Sequence, residues 1–328
     1  MTAYVIRRLL LNLVVIWLVA SFVFFAMRVL PGDYAAQQVS NAFFAGSGGS
    51  TTPEAQLKEA RKRLGTDAPI PVQYGRFFAD ILRGDFGKSY QTGEPAIAIT
   101  REALPYSIQL GLMSLLIGVV VAIPMGVFSA IRQDSLTDDG IRAVSILGLA
   151  APSFFTATLG TLAVIRWGLW EIDVVSHPGV WDDPLASLKL FIIPALAGGL
   201  ASGAVLMRLL RSQLLDVLRQ DYVRTAWAKG LSERVIVVRH VLRNGLLPVV
   251  TVGGFLVGSL FSGNVILEQM FNIPGMGQRL LQAIVIRDVP VAQTMTLVIA
   301  TGLVMINLAV DLTYTLIDPR VTLKGTSG

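Results

Sequence analysis

The sequence predicts an all-α integral membrane protein with six transmembrane helices, a sizeable region between the first two and a structured connection between the fourth and fifth. Three observations carry this. Hydrophobic residues make up 53% of the 328 and charged residues only 15%, where soluble domains carry about a quarter charged. A mean hydropathy of +0.62 over so long a chain leaves apolar surface that water cannot cover. Six segments are also apolar on all faces and long enough, at about 1.5 Å per residue, to cross a hydrocarbon core of roughly 30 Å. They run near Leu9–Met27, Ser107–Ala130, Ala143–Ile165, Leu190–Met207, Leu246–Leu267 and Val289–Val310.

The first segment follows Arg7 and Arg8, as a signal peptide would. Its apolar run exceeds a signal core, no small-x-small cleavage site follows, and five more spans come after it, so it is expected to stay as an anchor. Orientation follows from the basic residues. With the N-terminus inside, fourteen of the 27 fall on the inner side: Arg7, Arg8, Arg132, Arg142, eight between Arg208 and Arg243, Arg320 and Lys324. The two short outer connections and their flanks hold only Arg166, Lys189, Arg279 and Arg287. Both termini are expected in the cytoplasm.

The chain divides accordingly into a first helix (1–30), an outer region (31–104), a membrane core (105–317) with an inner loop at 208–245, and a short tail (318–328). In the outer region Thr52-Pro53-Glu54 supplies an N-cap, a first-turn proline and an early acid, and Gly65 closes that helix. A second helix is expected from Val72 to Leu82, and Gly46-Ser47-Gly48-Gly49-Ser50 reads as a flexible connector. Between spans three and four, Glu171, Asp173, Asp182 and Asp183 read as a solvated acidic rim, with substrate contact the lesser alternative.

The chemical inventory is mostly exclusions. There is no cysteine, and the only histidines, His177 and His240, fall on opposite sides, so neither thiolate chemistry nor a multi-histidine metal site is expected. His177 reads as a solvated loop residue and His240 as a polar-face or partner contact. Gly87-Lys88-Ser89 has the ending of a phosphate-binding loop, but position 82 is Leu82 where the pattern needs glycine. Arg83-Gly84-Asp85 reads as a turn rather than an adhesion signal. No span centre carries Asp, Glu, Lys or Arg, whereas ion-driven carriers place ionisable or coordinating groups near the midplane. Asn12, Gln109, Asn264 and Asn307 read as interhelical hydrogen-bonding groups. If the chain moves a solute, the energy comes from elsewhere.

Small residues recur every fourth position at Ser114, Gly118, Ala122, Gly126 and Ala130, at Gly199 and Gly203, and at Gly254, Gly258 and Ser262. Such stripes let helix backbones approach closely. Packing within the chain and packing against a second membrane subunit or a translocation path remain equally open.

The inner loop from Arg208 to Arg243 carries eight basic and three acidic residues; the rest of the chain balances at 19 against 19. The net charge of +5 is therefore local, and it does not imply nucleic-acid binding. Within the loop lies Asp221-Tyr222-Val223-Arg224-Thr225-Ala226-Trp227-Ala228-Lys229-Gly230-Leu231-Ser232. Thr225 and Ala226 are small enough for close docking, Tyr222 and Trp227 offer aromatic anchors, and Gly230 permits a helix stop with positive φ.

This segment resembles the EAA signature by which membrane subunits of ATP-binding-cassette importers dock their ATPases. Arg224-Thr225-Ala226 stands at the EAA triplet and Gly230 at the following glycine. Arg in place of the usual Glu, and Leu247-Pro248 lying later than in the general pattern, resemble the dipeptide/oligopeptide/nickel branch. Leu64-Gly65-Thr66-Asp67-Ala68-Pro69 with Pro71-Val72-Gln73-Tyr74, Gly84-Asp85-Phe86-Gly87-Lys88-Ser89, and Leu104-Pro105 resemble the same branch. So do Glu268, Phe271, Pro274-Gly275-Met276-Gly277, Arg287-Asp288 and Pro290, and the end from Asp311-Leu312-Thr313-Tyr314 to Asp318-Pro319-Arg320. Only the insert near Phe43–Thr51 falls outside the resemblance.

The resemblance implies a B-type permease subunit with type I importer architecture. It implies a second homologous permease subunit, two cytoplasmic ATPases that hold ATP and Mg, an extracytoplasmic substrate-binding protein, and a peptide as substrate in a prokaryotic inner membrane. Asp221, Tyr222, Arg224, Thr225, Ala226, Lys229, Gly230 and Leu231 would form the ATPase-coupling element, with no catalytic residue and no cofactor or metal bound by this chain. Gly118, Ala122, Gly126, Gly254 and Gly258 would serve helix packing. A self-sufficient secondary carrier or channel is the alternative, a membrane scaffold a further one.

Overall fold

The computed structural model describes residues 2–29, 35–36, 39, 52–63, 65–258 and 264–317. The Gly46–Ser50 connector, the insert near 43–51, part of span five and the tail at 318–328 lie outside the described residues. Among those described, the helices are α1 (Thr2–Val29), α2 (Pro53–Arg63), α3 (Ile70–Leu82), α4 (Ala96–Ile131), α5 (Leu136–Ala150), α6 (Ser153–Trp167), α7 (Pro184–Leu218) and α8 (Asp221–Ala228). A turn at Glu233–Val235 and a π-helical stretch at Ile236–Leu242 follow. Then come α9 (Arg243–Gly258), α10 (Val265–Met270), α11 (Met276–Val285) and α12 (Val289–Ile317).

Among the described residues four helices are long and apolar enough to cross a membrane, or up to six spans if each of two bent pairs counts as one. The described residues form two compact units, one within 1–104 and 279–304 and one within 105–278 and 305–317.

In the first unit, α1 turns Leu10, Leu13, Trp17 and Phe22 outward, each at least half exposed. A stripe of that size requires lipid or a partner rather than water. Its other face is anchored by Phe24, fully buried, which meets Tyr74 and Phe77 of α3 at centroid distances of 5.3 and 5.4 Å. The Arg28 guanidinium lies 3.4 Å from the Phe24 ring centroid and donates to Gln73 Oε1. Helix α3 starts at Ile70, two residues before the sequence-based expectation, because Pro71 in the first turn has no N–H to lose. Helix α2 begins at Pro53, and Gly65 takes φ +68° behind it.

The second unit is organised on α7, which packs against α5, α6 and α9. Of its most apolar 18 residues 61% are buried, against 17–33% in the three other long apolar helices. Asp183 caps it by accepting from the N–H groups of Leu185 and Ala186, with Pro184 at the first position. Phe191, Leu206, Leu210 and Leu214 form its buried spine. It also runs further than the span read from the sequence. Residues 208–218, expected in a connecting loop, continue the helix, since nothing in Arg208–Leu218 breaks it.

Span three departs most from expectation. The segment near Ala143–Ile165 is not one helix but α5 and α6, meeting at 103°. Pro152 explains the break: it lacks an N–H and holds Ala151 extended, at φ −77° and ψ 120°.

Candidate functional site

Helix α8 is eight residues long and one-sided. Val223 (0% exposed) and Ala226 (6%) face inward, packed with Leu210 and Leu214 of α7 and with Ile236 and Val241 of the π-helical stretch. Asp221, Tyr222, Arg224, Thr225, Trp227, Lys229, Gly230 and Leu231 are exposed. Gly230 takes φ +76°, which ends the helix at Lys229 and turns the chain away. Asn244 of α9 donates to the Tyr222 hydroxyl at 3.0 Å, fixing the first turn. Arg224 and Asp221 approach to 3.5 Å with both side chains in solvent, a contact worth little.

The structure thus brings the expected coupling residues onto one element but divides them. Ala226 does not lie on the outward face. The three-residue spacing from Val223 puts both on the inner side of the helix, where a charge would disturb the chain's own core rather than a docking surface.

Beneath this segment lies an ion pair. Arg211 of α7 reaches Asp138 of α5 as a fork, with Nε donating to Oδ1 at 2.9 Å and Nη2 to Oδ2 at 2.6 Å. The Ser129 hydroxyl of α4 donates to Asp138 Oδ1 and accepts from Arg211 Nε at 2.9 Å. The N–H of Asp134, in the tight turn between α4 and α5, adds a bond to Oδ2 at 3.1 Å. The Asp138 side chain is fully buried and that of Arg211 is 18% exposed. Sequence reasoning used Arg211 only as one of eight loop bases and passed over Asp138. The available signal was Ser135-Leu136-Thr137-Asp138, an N-cap followed three residues later by an acid.

A second carboxylate is caged by the Pro274–Gly277 turn. The Ser107 hydroxyl donates to Glu268 Oε1 at 2.6 Å, and the Gln278 N–H donates to Oε2 at 2.8 Å. Ser107 in turn accepts from the Met276 N–H at 2.7 Å. Gly275 is required by space here, since a Cβ would stand 2.5 Å from the Glu268 carboxyl carbon. In the first unit, Ser89 donates its hydroxyl to Asp288, whose other oxygen accepts from the Tyr90 N–H at 3.0 Å. Two motifs read separately in the sequence, at 84–89 and 287–290, are therefore one structural element.

The small-residue stripe of α4 meets α7. Gly118 faces the backbone of Gly199 and Gly203, Gly126 meets Leu210, and Ala122 is buried in the same cluster as Leu206 and Leu210. A Cβ on Gly199 would come within 2.7 Å of the Ser114 carbonyl oxygen. Gly254 and Gly258 lie in α9.

His177 is partly buried rather than solvated: its carbonyl accepts from the Tyr106 hydroxyl at 3.1 Å, and its Nε2 is buried without a partner. In the same loop the Ser176 hydroxyl, then the N–H groups of Val175 and Ser176, hold the Asp173 carboxyl below the usual carboxylate range.

Residues 122–323 match the family described as binding-protein-dependent transport system inner membrane component, and residues 1–111 match its N-terminal companion. A Brucella abortus protein named as a peptide transport system permease is 38% identical over 323 residues, covering 98% of this chain and 99% of that one. The dipeptide transport system permease protein DppB of Alkalihalophilus pseudofirmus is 34% identical over 344 residues, with the same coverage. A Sinorhizobium fredii protein named as a peptide ABC transporter permease is 33% identical over 324 residues. With a nearly all-helical architecture among its described residues, several apolar helices and family patterns spanning most of its length, the chain belongs to the binding-protein-dependent transport system inner membrane component family, the membrane permeases of type I ATP-binding-cassette importers.

Proposed function

We propose that this chain is one of two membrane subunits that form the translocation path of an ATP-driven peptide importer in a prokaryotic inner membrane. An extracytoplasmic binding protein delivers the peptide, and two cytoplasmic ATPases, which hold ATP and Mg, supply the energy. The chain itself catalyses nothing. Both termini and α8 face the cytoplasm, and the exposed side of α8 docks an ATPase through Tyr222, Arg224, Thr225, Trp227 and Lys229. The peptide assignment is supported by the names of the relatives described above.

The observation that carries the docking assignment is the division of α8. One face is held by the protein's own core, while two aromatics, two cations and a threonine stand exposed on a short, glycine-terminated helix. Such a face suits a partner's pocket, and its backing makes displacement of the helix a displacement of what lies beneath it. ATP-driven closure of the ATPases would move α8 and switch the membrane cavity between inward- and outward-facing.

The test is purification of the tagged chain from its native membrane, followed by reconstitution. A second permease subunit and ATPases should co-purify, and uptake of labelled peptides into vesicles should require ATP and the binding protein. Recovery of the chain alone, moving solute without ATP, would replace this reading with that of a self-sufficient carrier.

A further inference from the structure

We infer that Asp138 and Arg211 form a positioning pair that makes the α4–α5 turn move as one body with α7 and α8. The inference rests on the coupling role proposed for α8 and adds to it the residues through which motion enters the membrane helices.

The geometry carries the argument. Three helices meet at one carboxylate, because Ser129 belongs to α4, Asp138 to α5 and Arg211 to α7. The guanidinium holds both carboxylate oxygens, so the contact fixes rotation as well as distance. One position before Arg211 and three after it, Leu210 and Leu214 are buried in the cluster that receives Val223 and Ala226 of α8. The fork therefore sits on the stretch of α7 that supports α8.

A buried ion pair is a poor device for stability alone, since well-packed apolar residues of similar volume often do as well or better. What the pair supplies is registry. Apolar side chains at a helix contact tolerate small sliding, whereas a bidentate fork is either made or broken. Closed, it transmits a displacement of α7 and α8 to the α4–α5 turn without slack. Neither residue need touch solute or nucleotide to do this.

The chain has no cysteine, so two introduced cysteines are the only thiols it offers to a spin label, and labelling it before assembly with its partners keeps theirs unlabelled. Gln133→Cys, exposed in the α4–α5 turn, and Gln220→Cys, exposed at the start of α8, place one label on each side of the pair. In the full reconstituted complex, the interspin distance should stay the same when the ATPases are trapped with ATP and vanadate. Arg211→Lys keeps the charge but loses the fork, so trapping should then shift the distance by more than about 2 Å. Asp138→Asn should do the same. A wild-type distance that itself shifts on trapping would overturn the inference. So would an Arg211→Lys complex that behaves as wild type, or variants that merely disappear from the membrane. Failure of the wild-type complex to trap nucleotide at all would instead count against the docking role of α8, which separates the two claims.

Discussion

Ser107 and Glu268, 161 residues apart, share a 2.6 Å hydrogen bond in which a single hydroxyl serves two elements. It donates to the Glu268 carboxylate and accepts from the Met276 N–H, so the start of α11 is tied to α4 and to α10 at once. Ser107→Ala leaves a buried N–H without its acceptor and a carboxylate short of one donor. A loss of roughly 1–3 kcal/mol follows from such unmade bonds. Thermal denaturation of the detergent-purified complex should show a lowered midpoint, and Glu268→Ala, which frees two further groups, should lower it more.

Where α4 crosses α7, the backbones stand too close for side chains. A Cβ on Gly203 would lie 2.9 Å from the Gly118 carbonyl oxygen. Gly203→Leu should destabilise by at least the roughly 1–3 kcal/mol of an overpacked core. Gly253, whose Cβ position is clear of any atom within 4 Å, should tolerate alanine. Equal protease resistance of the two variants would contradict this account of the crossing.

The two faces of α8 should separate in mutagenesis. Ala226→Asp places a charge beside Val223 and Leu214 and should lower the stability of the chain itself by roughly 3 kcal/mol or more. Thr225→Glu, on the exposed side, should leave folding intact, within about 0.5 kcal/mol, and weaken ATPase association. Pull-down of the ATPase by each variant, normalised to folded protein, distinguishes them.

The Ser89–Asp288 bond predicts a local effect. Asp288→Ala removes the acceptor for the Ser89 hydroxyl and for the Tyr90 N–H, so the 88–95 turn should open more often. Losing these bonds should raise hydrogen exchange at Tyr90 by roughly tenfold or more, while amides in α7 should not change.

Legibility in the sequence followed how local each feature was. The apolar helices α1, α4, α7 and α12 were readable because each contains a long continuous stretch without charge. Their ends were less so: Ala96–Arg101 and Arg208–Leu218 are helical beyond the apolar stretch, and hydropathy sees lipid-compatible residues rather than hydrogen bonds. The elbow at Ala151-Pro152 was signalled by the proline, but the apolar residues on both sides masked it. The residues proposed for coupling stand out in the sequence through their motif, whereas Ala226's inward direction depends on what α7 and the π-helical stretch place beside it. Ser89 with Asp288, and Ser129 with Asp138 and Arg211, are pairings that only the packing of separate elements brings together.

The depth at which α7 is buried has a consequence for how the protein is made. Its best window has a mean hydropathy of 2.0, against 2.6 for α1, and it carries glycines where lipid-facing helices carry bulk. A helix of this kind partitions into lipid less readily than α1 does. Three helices that pack on its faces, α4, α5 and α6, precede it in the chain and can receive it, whereas α9 follows. Insertion of α7 should therefore lag its synthesis when those helices are missing, and a truncated chain that begins at α7 should be left partly on the membrane surface.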